Sequence, residues 1–306
     1  MSRLADALRG SGRALTAELP PVDAVDEYVV RAAIEAYAPF VDALNVVDNS
    51  AARAHASALS VAAVAVQAGV EPVMHVTCRD RNRLALQADL VGASLLRIEN
   101  VLCMTGDDVS AGDEPEAKRV FDLDGPQLVA LAAGISNGRY LSGRELGEAP
   151  ALFIGAVENP TAPPVEHRAD RALKKALAGA RFFQLQVAFD VAPVLRFVER
   201  AAANGLLGHA SLLATICVPG SARGLRWLRD KVPGVVVPEH LISAVERLPS
   251  SRQRGACHEA AVALGERLLA EVPLLRGLHV ISFQGLAVVE TLHELVSQTD
   301  QVSSRI

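Results

Sequence analysis

A chain of 306 residues, 50% apolar and with a formal net charge of −5, can bury one large core and has no excess of Lys and Arg for gripping a phosphate backbone, so no nucleic-acid partner is expected. Apolar runs such as Val61–Gln67 and Ala260–Leu264 fall well short of the ~18 residues that suggest a membrane span, and the N-terminal MSRLADALRGSGR lacks the apolar stretch and cleavage site of an export signal. The expectation is a cytoplasmic protein with no membrane partner, and the scattered Cys78, Cys103, Cys217 and Cys257, with no CxxC pair, read as reduced, buried thiols.

From the N-terminus onward, short β-branched apolar runs alternate with longer segments of helical period. Strands are predicted at Leu15–Leu19, Ala43–Val47, Glu71–Thr77, Leu96–Met104, Leu152–Val157, Phe182–Gln186, Leu212–Cys217 and Leu278–Ser282. Helices are predicted near Asp26–Ala36, His55–Ala68, Arg83–Gly92, Gly125–Ile135, Arg168–Ala178, Ala192–Asn204, Ala222–Lys231 and Arg252–Glu271. This alternation is that of βα units around a parallel sheet, and eight strands close a barrel; the expected fold is α/β, a single-domain (β/α)8 TIM barrel over residues 1–306. Two stretches break the rhythm. Thr105–Asp124, TGDDVSAGDEPEAKRVFDLD, is polar and too long for an ordinary βα connection, and Glu158–Val165 carries Pro160, Pro163 and Pro164. In a barrel both belong to the C-terminal face, where active sites of this fold are built.

Several polar residues fall at predicted strand ends. Glu18 closes the first strand; a carboxylate after an apolar run is costly unless solvated, paired or protonated, and burial would raise its pKa toward use as a general acid, whereas a surface glutamate before a proline turn is the plain alternative. His75 and Thr77 share one face of the third strand, ahead of the run Arg79-Asp80-Arg81-Asn82-Arg83, which reads either as a solvated helix start or as an anion-binding cluster. Thr105, Gly106 and Asp107 follow the fourth strand, where glycine permits close backbone approach and the aspartate presents an acceptor. Lys175, in Leu173-Lys174-Lys175-Ala176, reads as an ordinary solvated helical lysine, and Gln186 ends the sixth strand as an amide suited to a flat heterocycle or to a neighbouring loop. No glycine-rich dinucleotide fingerprint, P-loop, HExxH or nucleophile elbow occurs, so no metal is expected, and a flavin needs none of these motifs.

Taken in this order, the motifs resemble those of the methylenetetrahydrofolate reductases from about Leu15 to Leu295, most specifically in His75-Val76-Thr77-Cys78-Arg79-Asp80-Arg81-Asn82 and Val101-Leu102-Cys103-Met104-Thr105-Gly106-Asp107. Within that family they resemble the branch whose barrels also occur fused to homocysteine methyltransferase domains. The resemblance implies a flavoprotein carrying FAD, with FMN the alternative, that takes hydride from NADH or NADPH and passes it to 5,10-methylenetetrahydrofolate in ping-pong fashion, forming 5-methyltetrahydrofolate. It implies that Glu18 helps protonate N10 of folate as the imidazolidine ring opens and that Asp107 lies near flavin and pterin. It further implies cofactor contacts from His75, Thr77, Thr105, Gly106, Asp107, Asn159 and Lys175, and substrate contacts from Glu18, Asp107 and Gln186.

The departures from the family pattern leave the catalytic carboxylates in place and change other positions, part of the substrate wall among them. Val47 replaces a cofactor-contacting threonine, Thr105 an arginine, Asn159 a tyrosine, Ala222 a stacking aromatic, and Phe283-Gln284 an Asn-Arg pair. Two other readings follow from these changes: a folate- or flavin-binding barrel subunit that works with a separate electron-donor or methyltransferase partner, and a paralogue without turnover. A homo-oligomer accords with an enzyme barrel.

Overall fold

A computed structural model describes residues 2–303, with side chains through residue 298. Eight parallel strands, Ala14–Leu19 (β1), Ala43–Val46 (β2), Pro72–Thr77 (β3), Asn100–Met104 (β4), Phe153–Glu158 (β5), Phe182–Leu185 (β6), Ser211–Val218 (β7) and Gly277–Ser282 (β8), follow chain order around a closed barrel. The helices among the described residues are Arg3–Arg9 (α1), Glu27–Glu35 (α2), Ala58–Gln67 (α3), Arg83–Leu95 (α4), Gly125–Ser136 (α5), Arg168–Ala178 (α6), Val191–Ala203 (α7), Ala222–Lys231 (α8), Glu239–Glu246 (α9), Ser250–Glu271 (α10) and Ala287–Ser303 (α11). None of them is long and apolar enough to cross a membrane.

All eight predicted strands are present, with boundaries within one residue except at the start of the fourth. The fourth strand starts at Asn100 rather than Leu96, because α4 runs on to Leu95, Leu96 caps it by donating to Gly92 O and Ala93 O, and Arg97 takes a left-handed φ of 62°. Helices α1, α9 and α11 were not anticipated. The seven residues of α1 carry too little periodicity to read, and its start depends on a distant group: the Glu71 carboxylate accepts from Arg3 N at 2.7 Å and Leu4 N at 2.9 Å.

The chain divides into two compact units. One comprises the N-terminal residues through Asp6, then Leu19–Val157 and Lys174–Phe182; the other comprises Ala7–Glu18, Glu158–Leu173 and the chain from Phe183 onward. In the first unit β2 to β5 pair in register, with Asn45 beside Val73, His75 beside Leu102 and Cys103 beside Ala156. Every residue of β2 and β3 is buried, as expected for parallel strands covered on both faces. Local chemistry starts its helices: Asn82 accepts from Leu84 N and Ala85 N ahead of α4, and Asp124 and Gln127 form a reciprocal capping box ahead of α5. The Phe182 ring stacks on Phe153 at 5.1 Å between centroids and lies where a Cβ on Gly155 would come within 2.2 Å of it, so a glycine at that position makes room for the ring. In the second unit β7, β8 and β1 pair so that Thr215, His279 and Thr16 stand side by side.

Candidate functional site

In the first unit the strand ends carry a dense polar network. Asp48, two residues past β2 and 7% exposed, accepts from Thr77 N and Thr77 Oγ1, each at 2.8 Å, and pairs with Arg81. Arg81 also donates to Asp89 at 2.7 Å, although its Nε is buried without a partner. Arg79 is 2% exposed; it grips both Asp80 carboxylate oxygens at 2.7 Å and donates to Asn49 O at 3.0 Å and Asp107 O at 3.2 Å. One guanidinium therefore ties the loop after β2 to the loop after β4. The arginine beside it holds the Asp80 carboxyl below its ordinary pKa. This corrects the reading of the Arg run as a solvated helix start: of its three arginines only Arg83, at the first residue of α4, is exposed, and it pairs with Asp122 at 2.7 Å. Asp48 and Arg79 were missed as structural centres, and the available signal was charge placed directly after an apolar strand.

His75 lies within this unit with its Nε2 2.8 Å from Asn45 Nδ2. An amide nitrogen only donates, so the ring proton sits on Nδ1. Burial lowers the His75 pKa from 6.5 to about 3, which keeps the ring neutral. Thr105 and Asp107 are exposed. Gly106 has a φ of 90°, and a Cβ there would press to 3.2 Å against the Cβ atoms of Arg79 and Thr77. The Asp107 carboxylate makes no hydrogen bond among the described residues. Lys175 is not the solvated lysine expected: it is 6% exposed and donates to Val157 O, near the end of β5, at 2.7 Å, while its neighbour Lys174 takes the exposed position. Burial also pushes the Cys78 thiol up to about 11, so it stays protonated.

In the second unit Glu18 is the next-to-last residue of β1, half-buried, with no hydrogen bond or ion pair among the described residues. Burial pushes the carboxyl from 4.5 up to about 7. Two residues earlier on the same strand face, Thr16 Oγ1 lies 2.9 Å from His279 Nδ1, and Gln184 Nε2 is 3.4 Å from both. Gln186, just past β6, accepts from Val187 N at 2.9 Å and donates to Pro233 O at 3.4 Å. Asn159, just past β5, accepts from Thr161 N at 2.9 Å and donates to Gly234 O at 3.1 Å. Glu158, 4% exposed, pairs with Arg168 at 3.4 Å and accepts from Asn159 N at 3.2 Å, while Arg168 also donates to Ala162 O and Pro163 O at 2.8 and 2.7 Å. The proline-containing loop is thus pinned by a buried ion pair that sequence reasoning did not single out. A cavity of about 100 Å³ opens here, lined by Asn159, Gln186, Phe189, Asp190, Val236 and Pro238 among others. Among the described residues no cluster of His, Cys, Asp and Glu could hold a metal ion.

The sequence profile of the family described as methylenetetrahydrofolate reductase matches residues 23–296. Among solved structures the chain is similar to an uncharacterized protein from Clostridium thermocellum that binds two copies of 5-methyl-5,6,7,8-tetrahydrofolic acid, at 11% identity over 98% of this chain and 100% of that one, with a TM-score of 0.69. It is also similar to an EDTA monooxygenase from Chelativorans sp. BNC1, at 11% identity over 95% and 94% of the two chains and a TM-score of 0.57. A long-chain alkane monooxygenase matches at 11% identity over 96% and 92%, with a TM-score of 0.52. At such identities these structures speak for the fold.

Proposed function

The chain belongs to the methylenetetrahydrofolate reductase family, and from that membership we propose a flavin-dependent reductase that converts 5,10-methylenetetrahydrofolate to 5-methyltetrahydrofolate, working as a single cytoplasmic catalytic domain. The observation that carries the reading is Glu18. A carboxyl with a pKa near 7 is about half protonated at neutral pH, so it can donate a proton in one step and recover it from solvent afterwards. That is the requirement for protonating N10 as the folate ring opens. Gln186 offers an amide to the pterin, and Asp107 an exposed carboxylate to balance charge that develops on it.

The strand ends of the first unit fit a flavin. Thr105, Gly106 and Asp107 leave a hydroxyl, a backbone edge and a carboxylate available after β4, and Lys175 supplies a buried ammonium for a phosphate. A bound flavin would supply the hydride, replenished by NADH or NADPH. His75 and Thr77, engaged with Asn45 and Asp48, would set the shape of the site around it.

That internal engagement also favours a second reading, a barrel that binds folate and leaves electron donation or methyl transfer to a protein partner. Anaerobic mixing of the purified protein with NADH or NADPH, then with methylenetetrahydrofolate, separates the two. Bleaching near ~450 nm followed by recovery on adding folate is the expected result for the reductase. Colourless protein that binds folate would replace it with the second reading, and bleaching without recovery would remove folate as the acceptor.

A further inference from the structure

The connection between α8 and α9, residues 232–238, is held at two levels. Val235 and Val237, each 5% exposed, are seated in an apolar cluster with Leu225, Leu228, Ile242 and Val245. The turn ahead of them, Pro233-Gly234, is exposed and is held by side chains from elsewhere in the same unit. Gln186 Nε2 donates to Pro233 O at 3.4 Å, Asn159 Nδ2 donates to Gly234 O at 3.1 Å, and Thr161 Oγ1 lies 3.0 Å from Gly234 O and 2.8 Å from Asn159 Oδ1. A hydroxyl has one proton, so Thr161 shares it between the turn and the asparagine. Gly234 has a φ of 76°, and a Cβ there would come within 2.1 Å of Asn159 Nδ2. The turn therefore sits flush on two amides, that of Gln186, which the proposed function gives to the pterin, and that of Asn159, which the family resemblance gives to the cofactor.

We propose that the Pro233-Gly234 turn is a built-in competitor for the amides of Asn159 and Gln186, and that Thr161 sets how firmly it is held and hence how tightly the site binds folate. The proposal rests on the reading of Gln186 and Asn159 as ligand residues. Each amide nitrogen carries two N–H donors and gives one to a turn carbonyl, so a flat heterocycle seated where the turn sits takes those two donors from the carbonyls. The contacts to be surrendered are few, solvent-accessible and, at Gln186, long, whereas the two seated valines remain as an anchor. Lifting the turn thus differs from unfolding the α8–α9 connection. Val236, 60% exposed, and Pro238 line the cavity next to Gln186 and Asn159, so the released segment borders the ligand rather than leaving it. A ligand whose site is open only a fraction of the time binds with an apparent Kd raised by that fraction, and weakening the hold lowers it.

Two substitutions test this, read by two measurements. Thr161→Val removes the shared proton and leaves the N–H donors of both amides in place; Gly234→Ala puts a Cβ where Asn159 Nδ2 sits and separates the turn from that amide. Hydrogen exchange of the amides of residues 232–237, with fluorescence of Trp227, the only tryptophan and 45% exposed on α8, reports on the turn without any ligand. Titration with 5-methyltetrahydrofolate reports on the competition. The expected result is exchange several-fold faster in both variants and binding about three- to tenfold tighter in Thr161→Val, the scale of one lost hydrogen bond. Faster exchange with unchanged or weaker binding by Thr161→Val would overturn the proposal, making the turn a wall of the site instead of a competitor. Unchanged exchange in both variants would overturn the latch itself. No binding by the parent or by either variant would overturn the folate reading and the competition built on it, a failure visible in the titration alone.

Discussion

Two consecutive strands of this barrel end on carboxylates that are treated in opposite ways. Asp48, past β2, receives two hydrogen bonds from Thr77 and an arginine from the β3 loop, all on Oδ2, and so holds strand ends together. Glu18, at the end of β1, receives none among the described residues and is driven toward its neutral form by burial. The same functional group is a structural anchor in one unit and, among the described residues, a carboxyl without a hydrogen-bond partner in the other, and its neighbours make the difference. Donors from the end of β3 and the loop after it converge on Asp48, whereas burial without a donor raises the pKa of Glu18.

The largest expected effect breaks the comparison on the Glu18 side. Glu18→Gln keeps the shape and removes the acid, so oxidation of reduced flavin by methylenetetrahydrofolate should slow by a factor on the order of 10²–10⁴ while reduction by the nicotinamide donor survives. The parent's folate half-reaction should also decline as pH rises through about 7, where the acid form is lost, and the variant should show no such decline. Stopped-flow traces of the two half-reactions decide it; parent-like folate oxidation by Glu18→Gln would exclude this residue as the acid.

Next comes the Asp48 side. Asp48→Ala leaves Arg81 and the Thr77 donors without their shared acceptor in a buried setting, and a loss of roughly 3 kcal/mol is expected in urea unfolding. A loss below about 0.5 kcal/mol, the range of ordinary surface substitutions, would show that the network is not the anchor described.

A smaller effect is expected at Lys175. Lys175→Met preserves the apolar stem and removes the ammonium, and flavin retention should weaken about tenfold, the scale of one charge-assisted contact, measured by dialysis and absorbance. Unchanged retention would leave Lys175 as a strand-end clamp that holds Val157 O.

The smallest effect concerns stability. A carboxyl whose folded pKa is about 7 against 4.5 when unfolded holds its proton more tightly in the folded chain, so the stability it contributes is present at low pH and is lost as pH rises from 4.5 through 7. Glu18→Gln escapes that loss. Its melting temperature should match the parent's near pH 4.5 and exceed it by roughly 2–4 °C at pH 8. A variant that melts below the parent at pH 8 would mean that the carboxylate is paired when ionised.

The strands were legible because barrel strands are covered on both faces and read as continuous apolar runs, and the places of Glu18 and Gln186 at strand ends were legible because a polar residue closes such a run. Sequence alone thus determined the order of elements and the residues at the strand ends. Tertiary structure decided which of those residues are spent. Arg79 is buried because Asn49, Asp80 and Asp107 supply acceptors from three separate segments, and Lys175 turns inward while adjacent Lys174 stays exposed because of how α6 packs against the end of β5. The turn at Gly234 meets Asn159 across 75 residues of chain. Strand formation depends on near neighbours, so local pattern predicts it; the fate of a buried charge depends on partners distant in sequence, which are brought together only when the chain has folded.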